Sequence, residues 1–191
     1  MYRLILIGTI LLAALQTQHE QHSPYAAQER SEIAALTVEE LAGLREGAGM
    51  GLARAAELNG YPGPKHVLEL SGELGLSAQQ RGAIETIFDR MHEQAIELGE
   101  QVLERERQLD RRFAHKHIDA DLVNELTAEI GRLRGMLRAA HLRAHIETTA
   151  LLADEQVRRY EAARGYAETT VTGVALRRSK GPATRTPDLP T

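Results

Sequence analysis

The stretch from Leu76 to Gln156 contains no proline, and it constrains the fold more than any other part of the chain. Ser77, followed at the third position by Gln80, is a capping box: the hydroxyl takes a free backbone N–H and the amide side chain returns the contact. Apolar residues then recur at helical spacing at Ile84, Ile87, Met91, Ala95, Leu98, Val102, Leu109 and Phe113. The pattern breaks once, near His117-Ile118-Asp119. Asp119 suits the N-cap of a second helix whose stripe is Leu122, Leu126, Ile130, Leu133, Leu137, Ala140 and Ala144. The expected fold class is all-α: an elongated antiparallel helical hairpin with shorter flanking helices.

Length shapes the hairpin. At about 1.5 Å per residue, a helix from Ser77 to His117 spans roughly 60 Å and the second roughly 45–50 Å, whereas a compact domain of this size is about half as wide. Two such helices leave much of each stripe wet, so shorter helices of the same chain or a second copy must cover it. A homodimer is expected. With aromatics at 4% and no Trp, the core must be built from Leu, Ala, Ile and Val. The formal charge of −4, with basic residues interleaved among acids, gives no reason to expect a nucleic-acid partner. Absence of cysteine excludes disulfides, thiol catalysis and thiolate metal sites.

Residues 1–15 place Met1-Tyr2-Arg3 ahead of an apolar run to Leu15, the pattern of a signal peptide or, if uncleaved, an N-terminal anchor. The expected location is therefore the periplasm, with a membrane partner only if that segment is retained. Residues 16–36 are polar and read as a flexible mature N-terminus, with His19 and His22 as weak, unorganised metal donors. Residues 37–65 form an N-terminal helical segment. Thr37 and Glu40 make a second capping box, and a helix is predicted from Val38 to Leu58 despite Gly43, Gly47, Gly49 and Gly51, each costing up to about 1 kcal/mol relative to Ala. Asn59 to Pro64 stops it. Residues 66–166 hold a short helix from His66, the hairpin, and a last helical stretch from Val157 to Gly165. Residues 167–191 have no apolar period and read as a disordered tail, although Thr170-Val171-Thr172 has strand propensity.

With a turn near residue 118, positions whose numbers sum to about 235 stand level across the hairpin. Gly99 then lies level with Met136, one residue from Gly135, which predicts a close approach or bend of the two helices. His141 and His145, four apart, project from one side of the second helix, and His92 comes to the same height on the first. Three imidazoles from two helices suit a divalent transition metal (Zn, Cu, Ni or Co), with Glu93 or water completing the shell. Solvated histidines flanking the core are the alternative. The sequence shows no phosphate loop, H-E-x-x-H motif or nucleophile elbow, so no enzyme is expected. Arg105, Arg107, Arg111, Arg112 and Lys116, with Arg132, Arg134, Arg138 and Arg143, make both helices cationic. Acids such as Glu104, Glu106 and Asp110 lie nearby. The pattern fits a salt-bridged solvated face as well as a mildly basic surface that attracts unfolded acidic clients.

The arrangement resembles the Spy/CpxP family of periplasmic proteins, including its metal-responsive ZraP/CnrX branch. That family carries paired L-T-x-x-Q motifs, seen here as Leu76-Ser77-Ala78-Gln79-Gln80 and Leu152-Ala153-Asp154-Glu155-Gln156. The second keeps Leu and Gln but has Ala where the capping hydroxyl belongs. The resemblance covers about residues 66 to 166. It implies protomers dimerising into a curved cradle, acting as an ATP-independent chaperone for unfolded or misfolded clients or as an accessory to an envelope stress sensor. It also implies an alternative, a periplasmic heavy-metal sensor or buffer, since His141 and His145 are similar in placement to the histidines of that branch. This chain lacks the branch's first-helix H-x3-H pair and a histidine cluster in the tail.

Overall fold

The computed structural model describes residues 32–166. The apolar segment 1–15, His19 and His22, and the tail 167–191 with Thr170-Val171-Thr172 lie outside the described residues. Within 32–166 the chain forms helices α1 (Val38–Arg45), α2 (Arg54–Glu57), α3 (Pro64–Glu69), α4 (Ser71–Leu74), α5 (Ala78–Ala114), α6 (Ala120–Ala150) and α7 (Asp154–Ala163). No strand occurs among the described residues. The fold is all-α, and its two long helices pack against each other as an antiparallel hairpin.

Local chemistry starts the main helices where the sequence predicts. Thr37 Oγ1 accepts from the Glu40 amide at 3.1 Å while Glu40 Oε2 accepts from the Thr37 amide at 2.9 Å. Ser77 and Gln80 repeat the exchange at 3.1 and 3.0 Å. Asp119 Oδ1 accepts from the Leu122 amide at 2.9 Å and opens α6. Each cap satisfies donors that a helix start leaves free, worth about 1 kcal/mol. At 37 and 31 residues, α5 and α6 are about 55 and 47 Å long.

The shorter helices cover only part of that length. Ile33, Leu36, Leu41 and Leu44 pack on Ala95, Leu98, Val102 and Leu103 of α5 and on Leu133 and Leu137 of α6. Val67, Leu74, Ile84 and Tyr160 form a second cluster at the base, flanked by Leu76 and Leu152. Beyond Glu106 on α5, and before Leu126 on α6, no side chain is fully buried. Phe113, placed by its spacing on the apolar stripe, is 56% exposed. The hairpin therefore has a wrapped base and a bare tip.

The two L-x-x-x-Q motifs meet at the base. Gln80 Nε2 donates to Gln156 Oε1 and to the Leu151 carbonyl, both at 2.8 Å, and Gln156 Nε2 donates back to Gln80 Oε1 at 3.2 Å. Gln156 Oε1 also accepts from the Ala153 amide at 2.9 Å. Lacking a hydroxyl, Ala153 cannot complete the box, but the glutamine half survives and is shared between α5 and α7. The first turn of α5 is tied to the end of α6 and the start of α7, and the hairpin is clasped where it opens.

Two expectations are corrected. The helix predicted from Val38 to Leu58 ends at Arg45, because the chain turns through Gly47 (φ 60°), Met50 (φ 43°) and Gly51 (φ 74°) before α2. Left-handed backbone at Gly47 lets the turn settle on α5, where an added Cβ would lie 3.0 Å from Ile96 Cγ1 and 3.1 Å from the His92 carbonyl oxygen. The close approach predicted between Gly99 and Gly135 is also absent. A Cβ on Gly99 would lie 2.0 Å from the carbonyl oxygen of Leu44, so it is α1 that presses on α5 there, while Gly135 has nothing within 4 Å.

Candidate functional site

A cavity of about 700 Å3 opens at the wrapped base, between the 46–54 turn, α2, the start of α3, and the facing sides of α5 and α6. Its formation follows from the break after α1. A continuous helix would have carried residues 47–53 past α5, whereas the glycine turn folds back and leaves a space roofed by backbone and Met50. The rest of the wall is largely apolar, from Phe88 and Met91 on α5 and Ala144 on α6.

His92, His141 and His145 all line this cavity, joined by His66 of α3. His92 stacks on Phe88, with ring centroids 5.5 Å apart and 11° between planes. His141 is only 5% exposed, and its Nε2 has no hydrogen-bond partner within the described chain. Burial, reinforced by His145 and then His92, pulls the His141 pKa below its ordinary value, so the ring is held neutral. His145 is committed differently: its Nδ1 donates to the Tyr61 carbonyl at 2.7 Å and lies 3.7 Å from Glu57 Oε2. A backbone carbonyl only accepts, so Nδ1 carries the proton and Nε2 is the acceptor of the neutral ring. That ring lies flat against Gly63, where a Cβ would come within 2.7 Å of Nε2.

Glu57 is the hub of the site, and nothing in the sequence singles it out. Its Oε1 accepts from the hydroxyls of Tyr160 and, at 3.2 Å, Tyr166, and Arg164 Nε stands 3.6 Å away. Its Oε2 is buried with no hydrogen-bond partner among the described residues. Burial, and next the Glu57 carboxylate, drive the Tyr160 phenol far above its usual range, so it remains a donor. His66 is held by Glu69, with Nδ1 2.8 Å from Oε2. Glu57 ends the four-residue α2 and gains this role only from Tyr160 of α7 and Tyr166 beyond it.

As a metal centre these side chains fit incompletely. His141 Nε2 is available, but no group of three or more His, Asp or Glu residues is placed to hold an ion among the described residues. The Tyr61 contact occupies only Nδ1 of His145 and the Phe88 stack occupies neither nitrogen of His92, while Glu93 does not line the cavity.

The second candidate surface is the outside of the hairpin. Arg107 pairs with Glu32, Arg111 with Glu104, Arg132 with Glu129 and Arg134 with Glu106, at 2.8–3.0 Å. Arg112, Lys116 and Arg138 make no ion pair among the described residues. Between them stand Phe113 and Met136, 56% and 41% exposed, and Ile146 further down α6 at 56%. No described helix is long and apolar enough to cross a membrane.

No protein-family model, curated protein or solved structure matches this chain.

Proposed function

We propose that this chain is a periplasmic, ATP-independent chaperone or envelope stress-response accessory that holds unfolded clients on its helical hairpin. It is not an enzyme, and it works as a homodimer whose paired hairpins make a curved cradle. The observation that carries this reading is the bare tip. Phe113 stands exposed there beside Arg112 and near Lys116, cations with no ion partner among the described residues, and Met136 is exposed further down α6, two residues from Arg138, which suits loose capture of apolar, acidic segments. Exposed apolar side chains set among charges give weak, exchangeable contacts, as a holding chaperone needs. Further support comes from the paired L-x-x-x-Q motifs and from the apolar segment 1–15, which fits export. An envelope stress sensor is a second class of partner for the same face.

The test is light scattering from a chemically denatured, aggregation-prone enzyme diluted into buffer with the purified chain. At about equimolar ratio the signal should fall by half or more, and a Phe113→Ser/Met136→Ser/Ile146→Ser variant of unchanged melting temperature should lose most of that protection. Scattering that ignores the wild-type chain rejects the reading.

The rival reading, a sensor or buffer for Zn, Cu, Ni or Co at His92, His141 and His145, is favoured by one observation: the orphaned, buried Nε2 of His141. Calorimetric titration with each ion tests it. Stoichiometric heat that disappears in His141→Ala/His145→Ala supports a metal, and identical traces exclude it.

A further inference from the structure

We propose that the cavity at the hairpin base binds a small, neutral organic molecule with an apolar body and a hydroxyl group that hydrogen-bonds to His141 Nε2. This inference does not depend on the client surface, which lies elsewhere on the hairpin.

Three observations lead to it. First, at about 700 Å3 the cavity falls within the range of about 300–1,000 Å3 occupied by ligand sites, well above the space a single water fills. Second, Met50, Phe88, Met91 and Ala144 give it an apolar wall, with methionine and glycine supplying a surface that adapts to shape. Third, two of its lining residues keep buried polar atoms with no hydrogen-bond partner among the described residues, Nε2 of His141 and Oε2 of Glu57, the latter 3.7 Å from His145 Nδ1. A buried polar atom left unpaired destabilises the fold, so a ligand that pairs it recovers that penalty on binding.

The polar atoms also define the ligand's chemistry. Glu57 Oε2 can only accept. His141, kept neutral, presents either a lone pair or an N–H at Nε2, and a hydroxyl answers both. Glu46 and Glu57 share the wall with Arg54, Lys65 and Arg164, so the charges largely offset and the wall favours neither sign. A neutral alcohol or phenol on a hydrophobic frame satisfies all of these conditions.

The probe pair is 2-naphthol and 2-methoxynaphthalene, which share a body and differ in the donor. Titrated into the full chain, 2-naphthol should saturate at one equivalent and bind about three- to tenfold more tightly than the ether, the worth of one neutral hydrogen bond. In His141→Leu that preference should fall to about one while the ether binds as before. Independently of any variant, 2-naphthol should shift the ring resonances of His141 in proton–carbon spectra and leave those of His115 and His117, at the tip, unmoved. Equal affinity for the two naphthalenes, absence of saturation, or shifts confined to the tip overturns the proposal. So does stoichiometric Zn²⁺ binding at His141 in a chain that takes up neither naphthalene.

Discussion

The base and the tip of the hairpin share two helices, one composition and one apolar spacing, yet they are physically different objects. At the base α1 and the shorter helices close over the stripe, and Ile84, Val102, Leu103 and Leu133 are essentially buried. At the tip the same stripe continues through Leu109 and Phe113 to Leu122 with nothing of the described chain above it. An amphipathic period therefore records which face of a helix wants cover, and not whether cover arrives. The cover is decided by how far Ile33 to Leu44 reach along α5.

The sharpest way to break this contrast is to empty equivalent positions. Leu103→Ala, in the wrapped half, should cost about 3 kcal/mol in urea unfolding, while Leu122→Ala, half-buried near the tip, should cost under about 1 kcal/mol. Equal losses would mean the tip is covered in solution, as a dimer would achieve. Glycines sharpen the contrast next. Gly99→Ala drives a methyl into the Leu44 carbonyl and should cost about 2 kcal/mol, strain outweighing the gain in helix propensity. Gly135→Ala meets open space and should stabilise by about 0.5–1 kcal/mol. The smallest effect is electrostatic. The folded pKa of His141 lies below its ordinary value of 6.5, so the unfolded chain takes up its proton first on acidification. The stability this contributes is complete above about pH 6.5 and declines as pH falls toward the folded pKa. Melting curves across that window should show the decline in the wild type and a flatter profile in His141→Leu.

Features of local origin were legible in the sequence. The caps at Thr37, Ser77 and Asp119 need only the residue three positions on, and the buried stripe needs only the helical period. Placing His92, His141 and His145 around one space was also within reach, since level positions follow from where the turn lies. Their surroundings were not. Glycine spacing in 43–51 lowers helix propensity, but whether the chain turns depends on Ile96 and His92 accepting Gly47 against them. Gly99 has a visible reason to be small, but its neighbour, the Leu44 carbonyl, comes from a helix that sequence distance cannot position. Glu57 draws its importance from Tyr160 and Tyr166, about a hundred residues away.

The glutamine clasp has a consequence for how this architecture can vary. Gln80 and Gln156 tie together the points where the chain enters and leaves the hairpin, and every buried contact of the base lies on their side of Glu106 and Leu126. Seven residues added to each helix beyond those positions, two turns apiece, would lengthen the reach by roughly 10 Å and keep every facing pair below in register. Reach and anchorage are separate variables in this molecule, so one can be tuned without re-solving the other.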